Sequence, residues 1–346
     1  MMKKIVVNGK LLTQRVTGVQ RYALEVLQAL DAFIEKGSIQ LALPPDVIDV
    51  PCYKNIEVVK VGRLTNRLWE QISFPKYLFS QKAIALNLCN VSPLLAPGVV
   101  CIHDVKVKAT PQYFSKSFLW YYWLLLANAT RRGKAIVTVS DFSKSEIIKY
   151  YPAAADKITV IPNAWQHYQT TQYDEDALHK YALEKKNYCF SVSSLEPNKN
   201  LLWVARAAQK NPRIIFAVAG SMNDKVFANG LGFELPSNMK LLGYVSDEEA
   251  KTLMRDCRAF LFPSFYEGFG IPPLEAMSAG AKKIVVSDTT VMHEVFEASV
   301  CYINPHCADI DLEELLDGKE QEKDEILNKY TWENSARKML LVLENL

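Results

Sequence analysis

The sequence contains no CxxC pair, no apolar stretch long enough to span a bilayer, no internal repeat and no low-complexity tract. Its seven cysteines (52, 89, 101, 189, 257, 301 and 307) are odd in number and scattered. That argues against a disulfide framework or a structural zinc site, and for a reducing compartment. The longest apolar run is FLWYYWLLLANA at 118–129, shorter than the roughly 20 residues a helical span needs. Met1-Met2-Lys3-Lys4 leads into a short strand rather than the long apolar core of a secretory leader. N-x-S/T sequons at Asn90 and Asn128 carry meaning only in a secreted protein, and chance explains them here. No Walker A loop, GxSxG elbow or HExxH helix is present, so P-loop, serine-hydrolase and zinc-protease chemistries have no footing.

What is present is an ordinary globular composition: 346 residues, 49% apolar and 23% charged, with 14 Gly and 16 Pro. At about 150 residues per domain, two domains are expected. The net charge of +2 conceals an asymmetry. Residues 1–165 carry 21 Lys and Arg against 11 Asp and Glu, whereas the remainder carries 19 against 27. A first half at +10 and a second at −8 suggest that the first meets something anionic, unless its charge is only a solvated basic surface. Membrane phosphates, a lipid-linked substrate and nucleic acid fit equally on charge alone. A nucleic-acid partner is set aside because the second half is acidic.

Short β-rich runs alternate with helical stretches along the chain. Strands are expected at 4–8, 84–88, 99–103, 135–140 and 158–162, then at 187–194, 213–220, 239–245, 258–264, 283–288 and 300–304. A helix is expected over 19–35, with Tyr22, Val26, Ala29, Leu30 and Phe33 on one face. Such alternation predicts an α/β protein with parallel, doubly wound sheets, and apolar runs without internal alternation fit strands covered on both faces. Ser143-x-x-Glu146 and Ser246-x-x-Glu249 read as capping boxes at helix starts. The polar segment 166–186 reads as a linker between a first domain at 1–165 and a second at 187–330, and 331–346 reads as an amphipathic helix returning to the first. Ligands of open α/β sheets bind outside the carboxyl ends of the strands, so the site is expected where two Rossmann-like domains face each other.

The segment 263–280, PSFYEGFGIPPLEAMSAG, follows a strand and enters a helix. Its glycines let the backbone approach a ligand, free amides at a helix start favour an anion, and proline in a first turn costs no hydrogen bond. Glu267 and Glu275 then lie on the loop and at the head of the helix, suited to sugar and ribose hydroxyls. By itself the EGFG run fits a tight strand-to-helix turn as well. The whole pattern, E-x7-E within EGFG-x-PP-x-EAM, resembles the donor-site signature of the retaining family 4 glycosyltransferases, which have the two-domain GT-B fold.

The resemblance extends over nearly the whole chain. It implies that Lys199, in SLEPNKNL, neutralises the donor diphosphate as it leaves. An arginine is usual five residues earlier and here is Ser194, and some relatives carry Arg-Lys-Asn where this chain has Asn198-Lys199-Asn200. One diphosphate cation is therefore absent or supplied elsewhere. Tyr244 and Val245 resemble the strand end that holds the nucleobase through backbone groups. Phe269, Gly270 and Ile271 would meet the diphosphate through their backbone, Glu275 the ribose and Glu267 the sugar. In the first domain Gly18, in TGVQRY, corresponds to the glycine loop under the donor phosphates. His103 and Asp104, ending CIHD, correspond to the family's pair at the reacting centre. The segments at 87–95, 138–147 and 161–165 resemble bacterial surface-polysaccharide rhamnosyl- and mannosyltransferases.

The implied function is transfer of rhamnose, mannose or another hexose from a dTDP-, GDP- or UDP-sugar to a hydroxyl of a lipid-linked glycan, with retention. No cofactor and no metal are expected. The two D-x-D runs, Asp174-Glu175-Asp176 in the linker and Asp309-Ile310-Asp311 in an expected surface helix, follow no strand beside the donor loop. A catalytically weak, nucleotide-binding scaffold for polysaccharide assembly is the alternative, prompted by Ser194; an epimerase on the same fold is a third. The expected location is cytoplasmic, with peripheral contact to an anionic membrane. For FLWYYWLLL, burial as a core helix is the default and interfacial insertion, helped by Lys116, Arg131, Arg132 and Lys134, the alternative.

Overall fold

The computed structural model describes residues 3–192, 196–220, 234–317 and 322–346. The chain divides into two compact units, Met1–Ala164 with Tyr330–Leu346, and Trp165–Lys329. Each is built on one all-parallel sheet.

In the first unit the strands are β1 (Ile5–Asn8), β2 (Ile39–Leu43), β3 (Glu57–Lys60), β4 (Ile84–Asn87), β5 (Val99–Cys101), β6 (Ala135–Thr138) and β7 (Ile158–Val160), in spatial order β3-β2-β1-β4-β5-β6-β7. The order reverses between β1 and β4, the kind of switch point at which doubly wound sheets leave a crevice for ligands. β1, β2, β4 and β5 are buried throughout, as expected of strands with helices on both faces. β2 and β3 lie outside the strands expected from the sequence rhythm. β2 interrupts its apolar run with Gln40, whose side chain is held by Glu57 and Tyr77. β3 is an edge strand with Glu57 and Lys60 at its ends, charges that discourage pairing with another chain.

The helix Gly18–Asp31 packs on this sheet through Tyr22, Val26, Leu27 and Leu30. It stops four residues short of the expected end because Asp31 turns inward and accepts the backbone amides of Lys54, Asn55 and Ile56. The final helix, Trp332–Glu344, belongs to this unit: Ser335 Oγ donates to Pro162 O at 2.7 Å, and the Trp332 ring meets Tyr22 at 6.0 Å. The expected capping box at Ser143 is misplaced by one turn. The helix is Asp141–Tyr150, and Ser140 caps it by accepting from the amide of Ser143 at 2.9 Å. Ser143 is instead buried, its hydroxyl donating to His103 O at 3.0 Å.

The helix Lys116–Arg132 also departs from its default reading as core. Leu125, Leu126, Ala129 and Thr130 are buried, but Trp120 and Trp123 in its first half are 63% and 46% exposed. Among the described residues no helix is long and apolar enough to cross a membrane.

The second unit contains β8 (Tyr188–Val192), β9 (Ile215–Ala219), β10 (Met239–Gly243), β11 (Ala259–Phe262), β12 (Ile284–Ser287) and β13 (Cys301–Ile303), ordered β10-β9-β8-β11-β12-β13. Its switch point lies between β8 and β11. Ser246 and Glu249 form the capping box of the helix Asp247–Asp256, each accepting the other's backbone amide. Residues 166–186, expected as a linker, carry the short helices His167–Thr170 and Ala177–Lys180 and are part of this unit. Tyr173, Glu175, Lys180 and Tyr181 tie them to neighbouring helices. All seven thiols are free.

Candidate active site

Two loops leave the carboxyl ends of β8 and β11, the neighbours at the switch point, and are stapled together by asparagines. Asn198 Nδ2 donates to Tyr266 O at 3.3 Å, and the Phe265 amide donates to Asn198 O at 2.8 Å. Asn200 takes a left-handed conformation (φ 56°), which asparagine tolerates better than most residues. Its amide donates to Pro263 O at 2.9 Å and to Pro305 O at 2.8 Å. The two asparagines therefore build the loop, a role the sequence alone does not display.

Between them stands Lys199, whose Nζ donates to Glu267 Oε1 at 2.8 Å. Both side chains keep some contact with solvent, 25% and 17% exposed. A lysine has three donor hydrogens, so one bond to Glu267 aims the ammonium without exhausting it. Ser194 lies outside the described residues.

Gly270 closes this loop and opens the helix Ile271–Ser278 with φ 112°. A Cβ there would lie 3.0 Å from Met292 Cε and 3.2 Å from Phe296 Cε2, so conformation and packing both call for glycine. Phe269 is buried beneath the loop. Pro272 and Pro273 carry no amide hydrogen, which leaves Gly270 and Ile271 as the donors at this helix start. The anion-binding capacity of the turn is thus concentrated in fewer amides than a helix start ordinarily offers. Tyr244 and Val245 follow Gly243 (φ 72°) beyond β10, with Tyr244 69% exposed and Val245 half-buried.

Glu275 has a partner that the sequence did not reveal. His167 Nε2 donates to Glu275 Oε1 at 2.8 Å, and the two side chains are only 4% and 13% exposed. A histidine in a polar segment between motifs gives no periodic or spacing signal; only the fold brings positions 167 and 275 together.

In the first unit Gly18 begins its helix after Thr17, whose amide donates to the Gln20 side chain at 3.2 Å. His103, just past β5, is nearly fully buried. Its backbone amide donates to Asn90 Oδ1 at 2.7 Å, and Nε2 lies 2.9 Å from Leu88 O. A carbonyl can only accept, so Nε2 carries the hydrogen and Nδ1 of the neutral ring is an acceptor. Burial lowers the histidine's pKa from its usual value, partly opposed by the Leu88 carbonyl and by Asp104. The ring stands edge-on to Tyr22 at 4.9 Å. Asp104 is half-buried, and its Oδ1 accepts the Lys106 amide at 2.9 Å, fixing the turn after His103.

At the β1–β4 switch point itself lies a network that sequence reasoning missed. Asn8 Nδ2 donates to Asn87 Oδ1 and to Glu70 Oε1, each at 3.0 Å, and Lys10 Nζ pairs with Glu70 Oε2 at 2.7 Å. The Glu70 side chain is buried, and these partners satisfy its oxygens.

The D-x-D runs have other duties. Glu175 accepts two hydrogen bonds from Arg255, Asp309 pairs with Lys210, and Asp311 Oδ1 accepts the amides of Glu313 and Glu314 at the start of the helix Leu312–Asp317. Asp309–Asp311 thus precedes a helix rather than lying in one. Among the described residues no group of three or more His, Cys, Asp or Glu is arranged to hold a metal ion.

Comparison with known proteins places both units. The family described as Glycosyl transferases group 1 matches residues 174–338, and that described as Glycosyltransferase Family 4 matches residues 75–165. The chain is 27% identical over 327 residues to O-antigen chain mannosyltransferase B of Escherichia coli, covering 85% of this chain and 84% of that protein. It is 28% identical over 331 residues to O-antigen chain mannosyltransferase RfbU of Salmonella typhimurium, covering 87% of each. Among solved structures, Anabaena HepE in complex with UDP and glucose superposes with a TM-score of 0.72 at 16% identity, over 99% of this chain and all of that one. WaaG, a glycosyltransferase involved in lipopolysaccharide biosynthesis, does so with a TM-score of 0.67 at 14% identity, over 96% and 94%. At such identities the structures speak to fold, and the fold they share is the two-sheet arrangement described above. With residues 75–165 matched by the Glycosyltransferase Family 4 model, residues 174–338 by that of Glycosyl transferases group 1 and its sheets shared with solved relatives, the chain belongs to the family 4 glycosyltransferases of the GT-B fold.

Proposed function

We propose that this chain transfers a mannosyl or closely related hexosyl group from a nucleotide sugar to a hydroxyl of a lipid-linked surface glycan, with retention of anomeric configuration. The observation that carries the reading is the Lys199–Glu267 pair, held by Asn198 and Asn200 beside the Gly270 turn. It offers a cation for a diphosphate, a carboxylate for sugar hydroxyls and backbone amides in one place. The named relatives are O-antigen mannosyltransferases, which favours mannose as the sugar.

In this mechanism Lys199 and the amides of Phe269, Gly270 and Ile271 stabilise the charge that builds on the departing diphosphate. The loop also approaches the nucleoside: the strand end at Tyr244 and Val245 holds the base and Glu275 accepts from the ribose. Glu267 positions the sugar. In the first unit the proposed ligand-facing residues are Gly18, for a phosphate, and His103, with Nδ1 as acceptor for a sugar or acceptor hydroxyl, its turn fixed by Asp104. Lysine and backbone groups supply the charge neutralisation, so no metal or cofactor takes part.

The proposed working place is the cytoplasmic face of a membrane carrying the lipid-linked acceptor. Trp120 and Trp123 are exposed, and Lys108 Nζ lies 5.4 Å from the Trp123 ring. This pairing of aromatic and cationic groups suits an anionic interface. Co-sedimentation with vesicles of anionic phospholipid should be strong for the native protein and weak for the W120S/W123S variant. Equal sedimentation of both removes this helix from the membrane assignment.

The function is tested by screening GDP-, UDP- and dTDP-sugars, with and without EDTA, for thermal stabilisation and then for transfer. An α-linked product from an α-configured donor, identified by the one-bond C1–H1 coupling, supports retention. A β-linked product, or loss of turnover on chelation, overturns that part of the mechanism. Nucleotide binding without any transfer or hydrolysis points to a scaffold instead.

A further inference from the structure

We infer that His167 is a positioning residue that holds Glu275 for the ribose of a ribonucleoside diphosphate sugar, an inference that rests on the assignment of Glu275 to ribose made above. A glutamate in the second turn of a helix has several rotatable bonds, and a ligand that needs one orientation must freeze them. The bond from His167 Nε2 to Glu275 Oε1 fixes the carboxylate before any ligand arrives. Both side chains are largely withdrawn from water, so the bond is little screened. Preorganisation of this kind improves binding by reducing the ordering cost.

The histidine can impose an orientation because it is itself held. Its helix, His167–Thr170, ends in carbonyls that need partners. Lys251 Nζ, on a buried side chain, donates to Tyr168 O and, at 2.8 Å, to Thr171 O. The hydroxyls of Thr170 and Thr171 both donate to His167 O, at 3.3 and 3.1 Å. Just upstream, Trp165 Nε1 donates to Leu327 O at 2.9 Å. The other side of the pair is fixed by the Gly270 turn that starts the helix bearing Glu275. Imidazole and carboxylate are thus placed by elements that are each anchored independently.

This arrangement has a consequence for substrate class. A carboxylate has about four lone-pair positions, and the histidine bond occupies one of them. What remains can accept both hydroxyls of a 2′,3′-diol, whereas a 2′-deoxyribose supplies one. The donor favoured is therefore a GDP- or UDP-sugar over a dTDP-sugar.

The experiment is calorimetric titration of the full-length protein with GDP and UDP and with their 2′-deoxy counterparts. The native protein should bind one ribonucleotide about tenfold more tightly than its deoxy form, the size expected for one charge-assisted hydrogen bond. In H167F, which keeps a ring but loses the donor, that ratio should fall to about one with the protein still folded; a clamp serving only stability would lower the melting temperature and leave the ratio in place. Should H167F not fold, H167N, too short to reach Glu275, takes its place under the same criterion. A native protein that discriminates, with a variant that discriminates equally, overturns the role of His167 and leaves the ribose assignment standing. A native protein indifferent to the 2′-hydroxyl overturns the assignment of Glu275 itself, and one that binds neither nucleotide overturns both.

Discussion

Replacing Lys199 by alanine should remove most of the catalytic efficiency while leaving the fold nearly intact. The stability cost is small because the lysine side chain makes few strong interactions. The ion pair with Glu267 is partly exposed at both ends and is worth at most about 1 kcal/mol. The ammonium also lies 5.3 Å from the Phe262 ring, adding about 0.5 kcal/mol. The staples on either side, Asn198 and Asn200, make their bonds without the lysine. A loss of about 1–1.5 kcal/mol lowers the melting temperature of a domain of this size by only about 2–6 °C. A hydrogen bond from an ammonium to a diphosphate is worth about 1.5–3 kcal/mol, or roughly 10- to 150-fold in transition-state stabilisation. Initial rates of transfer with the nucleotide sugar identified by thermal shift, measured alongside the melting curve, separate the two effects. A K199A protein with kcat/KM within about threefold of the native value refutes the assignment, because the charge on the leaving diphosphate must then be met elsewhere.

Two other expectations are independent of Lys199. Gly270→Ala should destabilise the second unit by about 1–3 kcal/mol, since alanine is strained at φ 112° and its Cβ would press on Met292 and Phe296; an unchanged urea midpoint contradicts this. His103 should make the native protein lose stability as pH falls. Its folded pKa is lowered mainly by burial, so below the unfolded value of about 6.5 the unfolded chain binds a proton that the native ring does not. Stability from this residue is complete above about 6.5 and is lost as pH drops from there toward the folded pKa. Melting temperatures of native and H103N proteins should therefore converge on acidification, and parallel curves dismiss the linkage.

Much of this was legible before folding because it is local. The strands β8 to β13 stand out as apolar runs, the Ser246–Glu249 box depends on residues three apart, and the E-x7-E loop is contiguous. Signals of mixed character were harder to read. β3 carries charges because it is an edge, and β2 tolerates Gln40 because Glu57 and Tyr77 bond to it. The helix Lys116–Arg132 looks like core by composition, yet which of its faces meets the sheet depends on a partner surface that a string of residues does not contain. Ser143 and Ser140 are equally good caps by type, and the burial of Ser143 against His103 selects the latter.

Periodicity and glycine conformation are properties of neighbouring residues, so the class of fold and the composition of the loop from Glu267 to Glu275 were already written in the chain. The long-range polar pairings within each unit came from tertiary structure: Asn8 with Asn87 and Glu70 in the first, and Lys199 with Glu267 and His167 with Glu275 in the second. Their partners lie between 62 and 108 positions apart. Pairings at that separation arise from sheet order and from the docking of a segment that carries no local pattern of its own.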